Sequence, residues 1–414
     1  MTPKLQAIRG MEDVLPDASP LWEKLEEACC AVFRQYGYRN IRTPIVEPTA
    51  LFVRGVGEFT DIVEKEMYVF EDRNGESLAL RPEATAGIVR AAIEHNFLYN
   101  GPMRVWTMGP MFRYERPQKG RQRQFYQYDI EALGFEGPDV DAEQMVLLAR
   151  LWKTLGIRDV ELHVNSIGDA AERRTHREKL VAYFEKHRTT LDADAQRRLH
   201  TNPLRILDSK NPAMQAMIEG APRLTDQLGG DAAAHFEALK ALLEEAGLAY
   251  QVNPRLVRGL DYYNRTVFEW ISPAIGAQST IAGGGRYDAL FEQLGGKATS
   301  ACGFGMGMER VLLAMQAAEV TAGAHVDAYV AQAGDAAARA AWKFSEALRD
   351  QGRNVVLGAG GSFKSQMKKA DASGARYAVI IGDDEVAAEK VTLKPLRGGG
   401  EQVTLAAGEA LLRI

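Results

Sequence analysis

The sequence predicts an α/β fold class in two domains. The first, 1–325, is an α+β domain built on an antiparallel sheet with helices, and the second, 326–414, is a small α/β domain. Three observations carry this. Strand-like runs in the first 300 or so residues come in pairs that suit hairpins, as around the turn signal Asn74-Gly75. Residues 169–250 shift to Ala, Arg, Glu and Leu with few β-branched residues, which marks a mostly helical insertion. Beyond a linker-like stretch at 320–324, strands and helices alternate, the pattern of an α/β domain.

Each element has its own signal. Residues 19–37 read as an amphipathic helix, with Ser19 as cap, Pro20 in the first turn and Gly37 as terminator. Leu21, Leu25, Cys29, Val32, Phe33 and Tyr36 recur at helical spacing, so Cys29 reads as core. The run 38–47 reads as a strand that Pro44 confines to an edge or interface. A hairpin at 66–82 leads through Arg81-Pro82-Glu83-Ala84-Thr85 into a helix ending near 96. Strands at 103–115 and 123–133 flank a charged loop, and a helix follows at 140–157. Strands return over 251–290, including the run 256–269, and 303–318 reads as a strand turning into a helix. The last domain shows strands at 326–331, 355–357 and 377–381, with helices at 335–350 and 362–372.

Bulk properties exclude several classes. With 46% hydrophobic and 25% charged residues the 414-residue chain can bury a sizeable core. A net charge of −5 gives no global attraction to nucleic acid, so such contact needs local patches. Cys29, Cys30 and Cys302 form neither a disulfide framework nor a metal spacing, which suits a reduced cytoplasmic compartment. No signal peptide, membrane-spanning run or zinc site is read, so the expected metal set is none.

Three stretches carry chemistry. In a strand, Phe125, Gln127, Asp129 and Glu131 share one face while Tyr126, Tyr128 and Ile130 share the other. Gln127 and Glu131 stand about 13 Å apart at roughly 3.3 Å per residue, which suits two ends of a groove. Met111, Arg113 and Glu115 share a face on the preceding strand. The loop between carries Arg113, Arg116, Lys119, Arg121 and Arg123 against Glu115, a set able to receive phosphate. Taken alone, the strand face reads as an ordinary solvated sheet face, whereas the density of arginine in the loop speaks against a mere basic turn.

The second stretch is 256–269, where Arg258, Tyr262 and Tyr263 combine charge and rings, and Gly259 is expected to take a backbone conformation barred to other residues. The third is Gly303-Phe304-Gly305-Met306-Gly307-Met308-Glu309-Arg310. As a strand it leaves one face bare, against which a flat ring can lie, with Arg310 in reach of a phosphate. Gly283-Gly284-Gly285-Arg286-Tyr287-Asp288 carries more than a turn needs. Neither dinucleotide nor P-loop spacing is present.

Together these residues resemble the histidyl-tRNA synthetase family of class II aminoacyl-tRNA synthetases over nearly the whole chain. The segment at 41–47 with Pro44, the stretch from Phe112-Arg113-Tyr114-Glu115 to Glu131, and 303–310 resemble the three class motifs. The runs 256–269 and 283–288 resemble the histidine-specific signatures, and 326–414 resembles the anticodon-binding domain. The resemblance implies ATP-dependent attachment of L-histidine to tRNA(His) through histidyl-adenylate, with ATP entering as its Mg2+ complex, in a cytoplasmic homodimer. Arg113, Arg258 and Arg310 are then the catalytic arginines. Glu83, Ala84, Thr85, Gln127, Glu131, Tyr262, Tyr263 and Tyr287 join Arg258 around histidine, and Arg113, Arg121 and Arg310 bind ATP. Arg116 and Gln118 meet the tRNA acceptor end. The alternative is a histidine-sensing regulatory subunit of ATP phosphoribosyltransferase, against which the three arginines and 326–414 speak. Glycyl, threonyl and prolyl enzymes share the class motifs, and the run from Arg258 to Tyr263 separates this chain from them.

Overall fold

A computed structural model describes residues 4–57, 60–207, 209, 211–323 and 326–414. The chain divides into two compact units, Met1–Val320 and Thr321–Ile414.

The first unit opens with α1 (Ser19–Gln35), β1 (Arg39–Asn40), β2 (Val46–Pro48) and α2 (Thr49–Val56). Next come β3 (Tyr68–Glu71), β4 (Ser77–Leu80), α3 (Thr85–Glu94), β5 (Met103–Phe112), β6 (Gln124–Leu133) and α4 (Pro138–Leu155). After β7 (Glu161–Ser166) a helical stretch holds α5 (Ala170–Lys186), α6 (Ala193–Thr201), α7 (Gln215–Glu219) and α8 (Gly230–Glu245). The chain then returns through β8 (Gln251–Val252), β9 (Asn264–Ile271), β10 (Thr280–Arg286), α9 (Leu290–Gln293), β11 (Ala301–Gly307) and α10 (Met308–Ala317).

One eight-stranded sheet in the order β1-β5-β6-β11-β10-β9-β7-β8 organises the unit. Its six central strands are antiparallel throughout, and only the two short edge strands pair in parallel. Strand alternation sorts the two faces. Tyr128, Ile130, Phe268, Trp270, Phe304 and Met306 point to one side, into a core with residues of α1, α4, α8 and α10. Burying a side chain such as Phe304 contributes about 1.5–3 kcal/mol. The other face is covered only in part, by α3, α9 and neighbouring loops, and there the site lies.

Several local expectations need correction. Ser19 does not cap α1. The helix starts at Ser19 itself, whose hydroxyl donates to the Leu15 carbonyl at 3.2 Å, whereas Gly37 does sit beyond the end with φ +74°. The single strand expected at 38–47 is two pieces in two sheets, β1 at the edge of the large sheet and β2 in the small sheet β2-β4-β3, with Pro44 between them. The hairpin around Asn74-Gly75 forms as β3 and β4, with Gly75 at φ +83°. The run 256–269 is strand only from Asn264; 256–263 is a loop. Gly259 keeps a negative φ, and the left-handed residue is Arg265, at φ +50°, beside a bulge where β9 meets β10.

The second unit has β12 (Ala328–Ala333), α11 (Asp335–Asp350), β13 (Val355–Leu357), α12 (Phe363–Ala372), β14 (Tyr377–Gly382), α13 (Asp383–Ala387), β15 (Lys390–Pro395), β16 (Val403–Ala406) and α14 (Ala407–Arg413). Its sheet order is β13-β12-β14-β15-β16, parallel at β13, β12 and β14. An antiparallel hairpin, β15–β16, closes one edge and goes beyond the alternation read in sequence. No described helix is long and apolar enough to cross a membrane.

Candidate active site

Register builds the floor of the site. Across the open face, Thr107, Asp129, Gly305, Gly283 and Glu269 form one row from β5 to β9. Two bare glycines thus separate two carboxylates. In the flanking rows Glu131 lies between Val105 and Gly303, and Gln127 between Gly109 and Gly307. The bare positions are needed by the protein's own side chains. A Cβ on Gly303 would meet the Glu131 carboxylate at 1.5 Å, one on Gly305 the Gln127 amide at 2.6 Å, and one on Gly283 the Arg258 guanidinium at 2.7 Å. Only Gly307 of the alternating glycines faces open space, so the flat face expected along 303–307 is largely filled.

Above this floor opens a cavity of about 860 Å³. Glu83, Thr85, Gln127, Tyr262, Tyr263, Arg113, Arg121, Arg258 and Arg310 all line it. Glu131 and Tyr287 stand directly behind, with the Tyr287 hydroxyl donating to Glu131 and the Thr85 hydroxyl donating to it at 2.7 Å. Ala84 is buried in the apolar cluster under α3 and does not line the cavity. Arg116 and Gln118 are exposed outside it, on the loop whose turn is closed by paired Gln118 and Arg121 backbones around Gly120 at φ +72°.

The cavity has two electrostatic ends. At one, burial pushes the carboxyls of Glu83 and Glu131 up, and raises Asp129 to about 7. Hydrogen bonds oppose this: Glu83 accepts from the N–H groups of Thr85 and Ala86 at 2.8 and 2.9 Å, at the start of α3, and Asp129 accepts from Gln127 at 2.5 Å. Arg81, buried beneath and donating to the Pro110 carbonyl at 3.0 Å, adds a positive charge near Asp129 and Glu83. At the other end Arg113 donates to the Pro82 carbonyl at 2.9 Å, and Arg310 donates to the carbonyls of Gly120 and Thr280 at 2.8 and 2.9 Å. Burial, and then the charges of Arg121 and Arg113, push Arg310 down. Three guanidinium groups crowded this way suit a polyanion. Arg258 pairs with Glu269 at 2.5 Å and lies 5.7 Å from the centre of the Tyr263 ring, and its buried Nε has no hydrogen-bond partner among the described residues.

The sequence assigns no role to four groups here. Three are Arg81, Asp129 and Glu269, although the strand alternation that singles out Gln127 also puts Asp129 on the open face. Glu309 is the fourth; its carboxylate accepts from the Tyr126 N–H at 2.8 Å and burial raises it to about 7. Arg286 turns out to be a framework residue. Fully buried, it donates to Asp141 at 2.6 Å and to the carbonyls of Phe135 and Gly137. Although burial opposes it, the hydrogen bond to His235 and the Arg286 charge hold Asp141 at about 2. Arg286 thus fixes the strand end from which Tyr287 reaches Glu131.

Comparison with known proteins agrees with this architecture. A family described as histidyl-tRNA synthetase matches residues 10–311, and one described as an anticodon binding domain matches 327–414. The chain is 60% identical over 414 residues to the histidine–tRNA ligase of Methylobacillus flagellatus, covering 99% of both chains. It is 58% identical to that of Nitrosomonas europaea, covering 100% of this chain and 99% of the other. The crystal structure of apo S. aureus histidyl-tRNA synthetase superposes with a TM-score of 0.80 at 36% identity, covering 99% of both. An ATP phosphoribosyltransferase regulatory subunit/histidyl-tRNA synthetase from Bacillus halodurans C reaches a TM-score of 0.66 at 20% identity over 92% of this chain and 99% of the other, a likeness of fold alone. By these full-length matches, the chain belongs to the histidyl-tRNA synthetase family.

Proposed function

We propose that the chain attaches L-histidine to tRNA(His) in two steps, using ATP. The observation that carries this reading is the single cavity with buried carboxylates at one end and a cluster of arginines at the other. An amino acid offers a cationic amine and an anionic carboxylate, and ATP offers a polyanion, so the two substrates fit the two ends in one orientation. Glu83, Thr85 and Gln127 hold the α-amino group. Tyr263 on the cavity wall and Glu131 directly behind it address the two imidazole nitrogens, a pairing that leaves partners unsatisfied when an isosteric side chain enters.

The histidine carboxylate attacks the α-phosphorus, forming histidyl-adenylate and releasing pyrophosphate. Arg113 and Arg258 hold the α-phosphate and carboxylate where negative charge builds up, and Arg310, with Arg121, holds the outer phosphates. Mg2+ enters with ATP as part of the substrate. The terminal ribose hydroxyl of the tRNA then attacks the activated carbonyl and AMP leaves. Arg116 and Gln118, exposed on the loop, meet the acceptor end. We assign 169–250 to an insertion within a catalytic domain spanning 1–325, and 326–414 to anticodon binding, in a cytoplasmic homodimer.

Amino-acid-dependent ATP–pyrophosphate exchange, run with each of the twenty amino acids, tests the reading. Exchange with histidine alone is expected. Exchange with another amino acid overturns the specificity, and histidine binding without exchange points to the regulatory alternative.

A further inference from the structure

The loop 256–263 carries Arg258, Tyr262 and Tyr263, yet it has no strand partner of its own. Its geometry depends on what it touches: Leu256 accepts from Asn165 of β7 at 3.0 Å, Arg258 pairs with Glu269 of β9, and further neighbours come from the helical stretch between β7 and β8. Just before the loop, Arg255 donates to Gln215 at 3.1 Å and pairs with Glu219 at 3.2 Å, both on α7. Near its other end the Asp261 N–H donates to the Val56 carbonyl at 3.1 Å, the end of α2. Between these ties lies Arg205, on the turn after α6. One of its terminal nitrogens pairs with Asp61 at 3.1 Å, and the other lies 3.3 Å from where a Cβ on Gly259 would stand. Arg198 of α6 pairs with the same Asp61 oxygen at 3.2 Å.

Gly259 has no unusual φ, and a Cβ there would require the Arg205 guanidinium to give by a few tenths of an ångström, so glycine lets that guanidinium lie close against the loop. The positive charge of Arg205 also faces Asp261, whose carboxyl burial pushes up and Arg205 and Arg173 pull down. Leu207 and Gln215 from the same helical stretch form part of the cavity wall itself.

We propose that Arg205 is a positioning residue for amino-acid activation: by bridging Asp61 and bracing Gly259, it holds the loop so that Arg258 and Tyr263 face histidine. The stretch 169–250 then acts in the first chemical step, before any tRNA is bound. This rests on the activity proposed above, and the test separates the two.

Histidine-dependent exchange without tRNA is measured on the full chain for wild type, Arg205→Ala, Arg205→Lys and, as control, Lys65→Ala. Lys65 is an exposed partner of Asp61 at 3.6 Å. Arg205→Ala is expected to raise KM for histidine about ten-fold, the loss of one charge-assisted contact, and to leave KM for ATP within about two-fold. Arg205→Lys recovers most of the loss, and Lys65→Ala changes nothing. Equal loss for histidine and ATP, or no loss, overturns the proposal. Asp61 keeps Arg198 in the variant, so the fold is expected to survive. Amide hydrogen exchange gives a readout independent of activity. In Arg205→Ala, residues 256–263 should exchange faster while β9 stays protected; unchanged protection of the loop sinks the proposal. Wild type that fails to exchange pyrophosphate with histidine overturns the activity and leaves the hydrogen-exchange test standing.

Discussion

The two ends of the cavity are built on opposite principles. At the acidic end each carboxylate has protein partners: Glu83 takes two backbone N–H groups, Glu131 two hydroxyls and Asp129 an amide on one oxygen, its other buried oxygen having no hydrogen-bond partner among the described residues. At the arginine end like charges crowd together, with Arg113 and Arg121 both acting on Arg310; Arg121 pairs with Glu115 at 2.7 Å, while Arg113 and Arg310 donate to backbone carbonyls. The first end is a shaped wall whose polar atoms are already oriented; the second is an electrostatic field that an incoming polyanion neutralises. The difference teaches where selectivity and rate should separate. Changes to the wall should alter which amino acid is accepted, and changes to the arginines should alter the rate with any amino acid.

The strongest test of that separation removes Arg258, which lines the cavity between Glu269 and the Tyr263 ring. Arg258→Ala should lower kcat/KM for histidine-dependent exchange by about 10²–10³, the cost typical of a lost transition-state donor. Thermal unfolding should change little, since Glu269 keeps the Thr280 hydroxyl at 3.1 Å. Normal exchange by this variant would falsify the assignment. Glu131→Ala addresses the wall instead. It should raise KM for histidine by about 100-fold, through unpaired polar atoms at the recognition site, and leave KM for ATP within about two-fold. Equal losses for the two substrates would remove the distinction between the ends.

Much of this division was legible in the sequence, for a physical reason. A strand fixes side chains on alternate faces, so β6 could be read residue by residue, and Gln127 and Glu131 fell on the open side as alternation requires. Side chains placed by loops and by distant charges could not be read so. Loop 256–263 looked like a strand because its apolar and aromatic residues suit one, yet Leu256, Tyr262 and Tyr263 are buried by packing against α3 and α9 instead. Arg286 looked like part of a recognition motif, and nothing near it in sequence announces Asp141, 145 residues away. Asp129 is visible on its face, but its titration depends first on burial and then, beyond the Gln127 hydrogen bond, on Glu83 and Arg81, which arrive from another segment.

That carboxyl gives a pH-dependent test of the wall. Asp129 rises from 3.8 to about 7 in the folded chain because burial disfavours its charged form. Its contribution is therefore a penalty, absent below pH 4, growing as pH rises through the window from 4 to 7, and complete above it. Asp129→Asn keeps an acceptor for Gln127 and removes the titration. The variant should match wild type in urea unfolding at pH 4 and exceed it at pH 8, by on the order of a few kcal/mol. An equal difference at both pH values would mean that Asp129 is charged throughout and that the wall stores no such cost.

The smallest effect belongs to the second unit. Lys364 and Lys368 lie one turn apart on α12, and both are exposed. Exposed lysines contribute to RNA binding chiefly through phosphate charge, which releases counterions and reads no sequence. Neutralising both, as Lys364→Ala with Lys368→Ala, should weaken tRNA(His) binding by a few-fold at about 0.15 M salt and make the slope of log K against log salt shallower by about 1 to 2. Histidine-dependent pyrophosphate exchange should not change, because no tRNA takes part in it. If the salt slope stays the same, these lysines are a solvated helix face and RNA contacts must be sought elsewhere in the unit. If exchange also falls, the second unit influences the first chemical step, and the two ends of the cavity no longer suffice to describe activation.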